Sequence, residues 1–311
     1  MRVWVSGVRN PTHLVYVASW LRSQPGSAVG VIDAGGFIAR GLVQHDDVRR
    51  WLGGVPGVEV SLTDAPTGET PRAYVAVGVA GIKPWLALRR ANPLARLPVI
   101  VVDEGLGSYG TVRSQFAAQV RQGGHPARQA AKVAARSAAR VLTSTRWSLY
   151  RHTDDRWAVN AAVADEFRRV QPAPSGRVVY LSQPWPALGV TSRDRYLGHL
   201  HQVQDAVASQ GRELVIKPHP AENPRDFTDA GLAVHETRTP AELDPEVIGA
   251  HAVLGTQSTA LLNLASVHGR PALRVHFGDL DGLEAALSRR QASLLRAFLP
   301  PPVGVGDLSL G

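Results

Sequence analysis

Val99-Ile100-Val101-Val102-Asp103-Glu104-Gly105 is an unbroken apolar run that stops on two carboxylates and a glycine. Such a run, with no polar alternation, reads as a strand covered on both faces, as in a parallel sheet. Working outward, Arg2–Ser6, Ala28–Ile32, 58–62, Ala73–Val77 and 140–143 read as further short strands between longer helix-like segments. That is the βαβ rhythm of a doubly wound α/β fold. Gln171-Pro172-Ala173-Pro174-Ser175-Gly176 then has linker composition, with two prolines and a glycine that cannot continue a helix. A second alternation follows, with strands at 177–182, 213–217, 251–254 and 272–276 and helices near 193–209, 258–268 and 283–299. The expectation is two α/β domains in series, 1–172 and 173–311, with the helix at 283–299 packing back on the N-terminal domain.

Composition narrows the function classes. The chain has 311 residues, 44% of them apolar, enough for two cores of ordinary size. It contains no cysteine, which excludes disulfides and thiolate metal sites. Met1-Arg2-Val3-Trp4 runs straight into a strand pattern without the features of a signal peptide, and no apolar run approaches the roughly 20 residues of a membrane helix. A cytoplasmic protein is expected, with contact at the inner membrane face as a further expectation. The formal charge of +8, from 34 basic and 26 acidic residues, favours anionic partners. Aromatics are not interleaved with the basic residues as in a single-strand groove, so nucleic acid is not an expected partner. The cations are almost all arginine; only Lys83, Lys132 and Lys217 are lysines. A lysine within a motif therefore suggests that a compact ammonium is wanted there.

Ligands of open α/β sheets bind beyond the carboxyl ends of the strands, and three motifs fall at such ends. Asp103-Glu104-Gly105 offers a general base, with Asp103 favoured, or a polar turn capping the next helix. Lys217-Pro218-His219-Pro220 follows Leu214-Val215-Ile216, and its prolines fix the backbone around His219. His219 is either a satisfied loop histidine or a cationic group that donates to a departing phosphate oxygen while Lys217 adds charge. Gly255-Thr256-Gln257-Ser258-Thr259 leads from a strand into a helix. Ser258 and Thr259 are an N-cap pair or hydroxyl ligands of a phosphate at the helix N-terminus. His13, after Asn10-Pro11-Thr12, is placed on the acceptor side of a cleft between the domains. Asp279-Leu280-Asp281 reads as a solvated loop, and Arg128, Lys132, Arg136 and Arg140 as a basic helical stripe.

The order Asp-Glu-Gly, His-Pro, Ser-Thr resembles bacterial sialyltransferases of the polysialyltransferase and lipooligosaccharide-sialyltransferase type. The resemblance implies a GT-B fold, with two Rossmann-like domains whose parallel sheets face a central cleft. It implies inverting, metal-independent and cofactor-free transfer of a sialic-acid-like nonulosonic acid from a CMP-sugar to a glycan or other hydroxyl acceptor. On it, Asp103 or Glu104 is the base, beside Gly105 and His13 on the acceptor side. His219 is the acid, and Lys217, Pro220, Glu242, Ser258 and Thr259 bind the donor. CDP-glycerol and CMP-Kdo transferases carry similar His-Pro and serine arrangements. A non-catalytic protein that binds nucleotide or glycan is the alternative from another class.

Overall fold

The computed structural model describes residues 1–24, 26–33, 36–38, 40–66, 71–91, 93–94, 96–103, 105–111, 127, 134, 137 and 139–311. Arg128, Lys132 and Arg136 of the basic stripe lie outside them. The chain divides into two compact units, Met1–Ser108 with Ala130–Arg169, and Val170–Gly311 with Tyr109–Gln129.

The first unit is built on a parallel sheet of β1 (Arg2–Ser6), β2 (Ala28–Ile32), β3 (Glu59–Thr63), β4 (Ala73–Val77), β5 (Val99–Val102) and β6 (Thr145–Trp147). Their order is β3-β2-β1-β4-β5-β6 and every pairing is parallel. Every residue of β4 and β5 is buried, as continuous apolar runs require, whereas the edge strand β3 is partly exposed. Gly30 of β2 pairs with Trp4 of β1, and a Cβ on it would come within 2.1 Å of the indole. Only glycine leaves room for that ring.

Among the described residues, three crossover helices, α1 (Pro11–Leu21), α2 (His45–Leu52) and α3 (Ile82–Ala91), serve this sheet, and α4 (Ala161–Phe167) adds to it. Asn10 starts α1 by accepting the His13 amide at 3.1 Å, with Pro11 at the first helical position. The helix is buried almost all round because α2 and α4 both pack on it. Tyr16 meets Phe167 edge-on at 5.4 Å.

The strand expected at 140–143 is instead a 3-10 turn, Arg140–Leu142, followed by β6. Pairing with β5 begins later, because Ser144 takes both ends of the Val99 peptide: its amide donates to the Val99 carbonyl at 2.8 Å and its hydroxyl accepts the Val99 amide at 3.1 Å. A hairpin absent from the sequence reading follows, β7 (Tyr150–Thr153) and β8 (Arg156–Val159). Its two turn residues, Asp154 and Asp155, have φ of 49° and 58°. Positive φ at both positions is the requirement of the tight hairpin turn that matches strand twist, and Asp tolerates it.

The second unit carries β9 (Val178–Leu181), β10 (Leu214–Lys217), β11 (Ala252–Gly255) and β12 (Ala272–Arg274), in the order β10-β9-β11-β12 and all parallel. Its longer helices are α5 (Arg193–Ala208), α6 (Thr259–His268) and α7 (Arg289–Phe298). Leu200, Val203 and Val207 of α5 bury against Tyr180, Ile216 and Leu254 of the sheet. The linker-like stretch is tied to this unit, with Ala173 and Ser175 amides donating to the Pro245 and Gly249 carbonyls. The single helix expected at 283–299 is broken. Ser288 and Gln291 form a reciprocal cap that starts α7 at Arg289, and α7 lies against α6.

Two histidines are buried in their neutral form. Burial lowers the His13 pKa to about 3, with the Arg9 charge adding to the effect. Burial lowers His199 to about 4, helped by His276. Unfolded histidine titrates near 6.5, so this stabilisation is complete above that pH and is lost as pH falls toward 4 and then 3. The unfolding free energy from urea titrations is expected to hold between pH 7 and 8. Below 6.5 it falls with a slope approaching about 1.4 kcal/mol per pH unit for each histidine. A His199→Gln variant shows a shallower fall.

Candidate functional site

In the second unit the chain passes from β9 outward to β10, then returns across β9 to β11 on its other side. Loops leaving β9 and β11 therefore diverge, and this reversal of strand order is where open α/β sheets hold ligands. The strands end level, Lys217 and Gly255 both pairing with Leu181. His219 beyond β10 and Ser258 beyond β11 thus share one sheet edge, on strands two spacings or about 9.5 Å apart.

The β11 side of this crevice carries unspent polar groups. Thr256 is engaged, its hydroxyl accepting the Trp185 indole N–H at 3.3 Å. The Gln257 side-chain nitrogen is buried and has no hydrogen-bond partner among the described residues. Ser258 holds the N-cap position of α6 in extended backbone geometry, yet its side chain makes no capping bond although the residue is only 7% exposed. The first-turn amides of α6 consequently lack their usual side-chain acceptor. Thr259 begins the helix and is half-buried.

On the β10 side, a small network fixes His219. Its backbone N–H donates to Glu222 Oε2 at 2.8 Å and to Ser182 Oγ at 3.3 Å, and the Ser182 hydroxyl donates to the same carboxylate. Burial raises the Glu222 pKa, against the pull of the Ser182 and His219 bonds. The Ala221 amide donates to His219 Nδ1 at 3.1 Å, so the neutral ring carries its proton on Nε2. Burial also lowers the His219 pKa. The expected cationic histidine is therefore corrected: burial disfavours the charge, and the group is a neutral donor with a fixed tautomer.

Lys217 is not presented to a ligand. Its ammonium is buried, 3.4 Å from Asp244 Oδ2 and 3.4 Å from the Thr237 carbonyl, and Asp244 also takes His235 Nε2 at 2.9 Å. Burial lowers the Lys217 pKa, and Asp244 and Glu242 oppose it. Glu242 thus belongs to this buried charge cluster. Its short turn, Ala241–Leu243, is held by the ring of His268, which donates to the Glu242 carbonyl at 3.1 Å at the far end of α6 from Ser258. Pro220 is exposed. Of the donor-side residues read from sequence, the fold gathers His219, Ser258 and Thr259 on one edge and commits Lys217 and Glu242 to internal packing.

In the first unit, Asp103 directly follows β5 with 3% exposure, and its Oδ2 accepts the Leu149 amide at 2.9 Å. That bond ties the chain between β6 and β7 to the sheet, which corrects the preference for Asp103 as an accessible base. Glu104 lies outside the described residues. Gly105 has φ of 111°, which explains the glycine on backbone grounds alone. His13 is likewise internal: Nδ1 accepts the Arg9 amide at 3.0 Å and the ring engages the Gly7 backbone, bracing the turn from β1 to α1. Its expected place beside an acceptor is corrected by that burial.

Sequence reasoning missed Ser182, Glu222 and Gln257. The Glu222 signal was present, an acid three residues after His219 able to turn back on its amide, as in a capping box. Ser182 becomes significant only once β9 is known to flank β10, which brings it to Glu222 and His219. These assignments predict different costs of substitution in urea unfolding. Asp103→Ala strands the buried Leu149 amide and lowers stability by about 1–3 kcal/mol. Lys217→Met leaves Asp244 without its ammonium and costs about 3 kcal/mol or more. Ser258→Ala and His219→Ala stay within about 1 kcal/mol of the parent.

No protein-family model matches the chain, and no curated protein does either. Among solved structures it is similar to UDP-GlcNAc 2-epimerase from Neisseria meningitidis bound to UDP-GlcNAc. The identity is 12% and the TM-score 0.49, over 96% of this chain and 90% of that one. It is also similar to Methanocaldococcus jannaschii UDP-GlcNAc 2-epimerase in complex with UDP-GlcNAc and UDP, at 10% identity and a TM-score of 0.40, over 96% and 91% of the two chains. Likeness at this level concerns the fold alone, and no activity is transferred from it. These structures are UDP-sugar epimerases and not CMP-sialic acid transferases. Transfer of a CMP-activated nonulosonic acid is withdrawn, together with its CDP-glycerol and CMP-Kdo variants, because the cationic Lys217–His219 pair on which it rested is absent: Lys217 is paired internally with Asp244 and burial disfavours charge on His219. The α/β class with two Rossmann-like units stands.

Proposed function

We propose that the protein is an enzyme whose second unit binds a nucleotide-linked substrate through its phosphate, at the N-terminus of α6. The observation that carries this reading is the orphaned Gln257 amide at the crevice, next to a Ser258 hydroxyl that makes no capping bond. Buried polar groups in folded proteins are nearly always paired, so an unpaired amide donor at the strand-order reversal, beside a helix N-terminus without its side-chain cap, suits an acceptor-rich ligand. A phosphate supplies several acceptor oxygens, and the helix amides favour its charge. His219, with its proton fixed on Nε2, donates to a phosphate oxygen as negative charge develops there during bond cleavage. Glu222 and Ser182 hold the loop that carries it. The reading invokes no metal.

A thermal-shift panel of UMP, UDP, CDP, GDP, ADP, UDP-GlcNAc and inorganic phosphate, with and without EDTA, tests it. One nucleotide class is expected to stabilise the protein by about 2.7 kcal/mol at 100 times its dissociation constant, independently of EDTA. Ser258→Ala and Gln257→Ala each weaken binding by roughly three- to tenfold, the worth of one hydrogen bond. Because the imidazole donor is neutral, affinity holds between pH 7 and 9, where a cationic contact would fade. Absence of any shift, or full affinity in the double variant, discards the assignment.

A further inference from the structure

Charge in this chain is sharply segregated. Residues 70–153 hold 13 of its 34 lysines and arginines but only 2 of its 26 acidic residues, Asp103 and Glu104. Asp103 is buried. The same stretch carries the most exposed aliphatic side chains among the described residues, Leu94 at 100% and Val141 at 86%.

The sheet explains how these two come together. Leu94 precedes β5 and Val141 precedes β6, and the two strands are neighbours. Ser144 and Val99 bond the two approaches side by side. Leu97 and Leu142, each a few residues from a protruding side chain, pack into one cluster with Trp85 of α3. Both protrusions therefore stand on an anchored platform at the amino-terminal edge of the sheet. From there the outer stripe of α3 continues upward through Arg90, Leu86 and Ile82, at i, i−4 and i−8, with Leu86 and Ile82 about two-fifths exposed. Arg90, Arg96 and Arg140 lie along the same corner, and none of the three makes an ion pair among the described residues.

We propose that this corner of the first unit docks on a membrane surface rich in anionic lipid. Unpaired arginines meet the phosphate headgroups while Leu94 and Val141 enter the boundary between headgroups and acyl chains. A nucleic acid backbone would satisfy the arginines and give the aliphatic side chains nothing. Docking at the amino-terminal edge leaves the carboxyl edge of this sheet, about 10 Å away along β5, unobstructed. The inference is independent of the nucleotide reading, because its residues lie in the other unit.

Sedimentation of the full chain with vesicles tests it, comparing phosphatidylcholine alone with phosphatidylcholine containing about 30% phosphatidylglycerol. The parent protein is expected to partition onto the anionic vesicles only, weakening as salt rises from about 20 mM to about 0.3 M. The triple variant Arg90→Glu, Arg96→Glu, Arg140→Glu loses at least about a hundredfold. Leu94→Ser with Val141→Ser loses about tenfold at the higher salt. Unchanged melting curves show that these exposed positions do not act through folding. No binding to anionic vesicles at low salt overturns the proposal, as does binding that both variants retain. So does displacement from vesicles by DNA that the Leu94→Ser, Val141→Ser variant binds as tightly as the parent.

Discussion

Parallel pairing is the constraint on which everything else in this protein rests. A parallel strand cannot return through a tight turn, so each connection crosses a face of the sheet and every strand in it ends on the same edge. In the second unit Leu181, Lys217 and Gly255 close three neighbouring strands at one level. The loops that follow are forced together although 75 residues of sequence separate Ser182 from Gln257. The same rule in the first unit carries Leu94 and Val141 to the opposite edge, where the approaches to β5 and β6 must lie side by side.

Within that frame, hydrogen-bond accounting separates structure from site. Asp103, His13, Lys217 and Asp244 are buried polar groups with partners, and each holds one segment of chain to another. Their burial would be costly without those bonds and gives them little freedom to meet a substrate. At Gln257 the side-chain nitrogen is buried and unpaired among the described residues, as are the Trp4 and His251 ring nitrogens elsewhere, and beside it the Ser258 hydroxyl makes no capping bond. Gln257 and Ser258 fall at a strand-order reversal, where open α/β sheets hold ligands.

The Lys217-Pro218-His219-Pro220 segment shows how a motif divides once it is folded. Alternation along β10 sends Lys217 inward to Asp244, while the prolines carry the chain out of the sheet so that His219 sits at its edge. Two cations two residues apart on paper become one internal ion pair and one neutral donor. Burial causes both outcomes. It favours a paired ammonium over a free one, and it lowers the imidazole pKa while the Ala221 amide selects the tautomer.

The sequence alone determined the α/β class, most of the parallel strands and the strand-end positions of Asp103, His219 and Ser258, because these depend on local patterning and on turn residues. Its misreadings at 140–143 and 283–299 arose where a local apolar pattern was overruled, by the Ser144–Val99 bonds in one case and by the Ser288–Gln291 cap in the other. Tertiary structure decided the strand order, and through it which loops meet. It also decided which polar groups found partners. Those outcomes depend on contacts between residues far apart in the chain, and no local period encodes them.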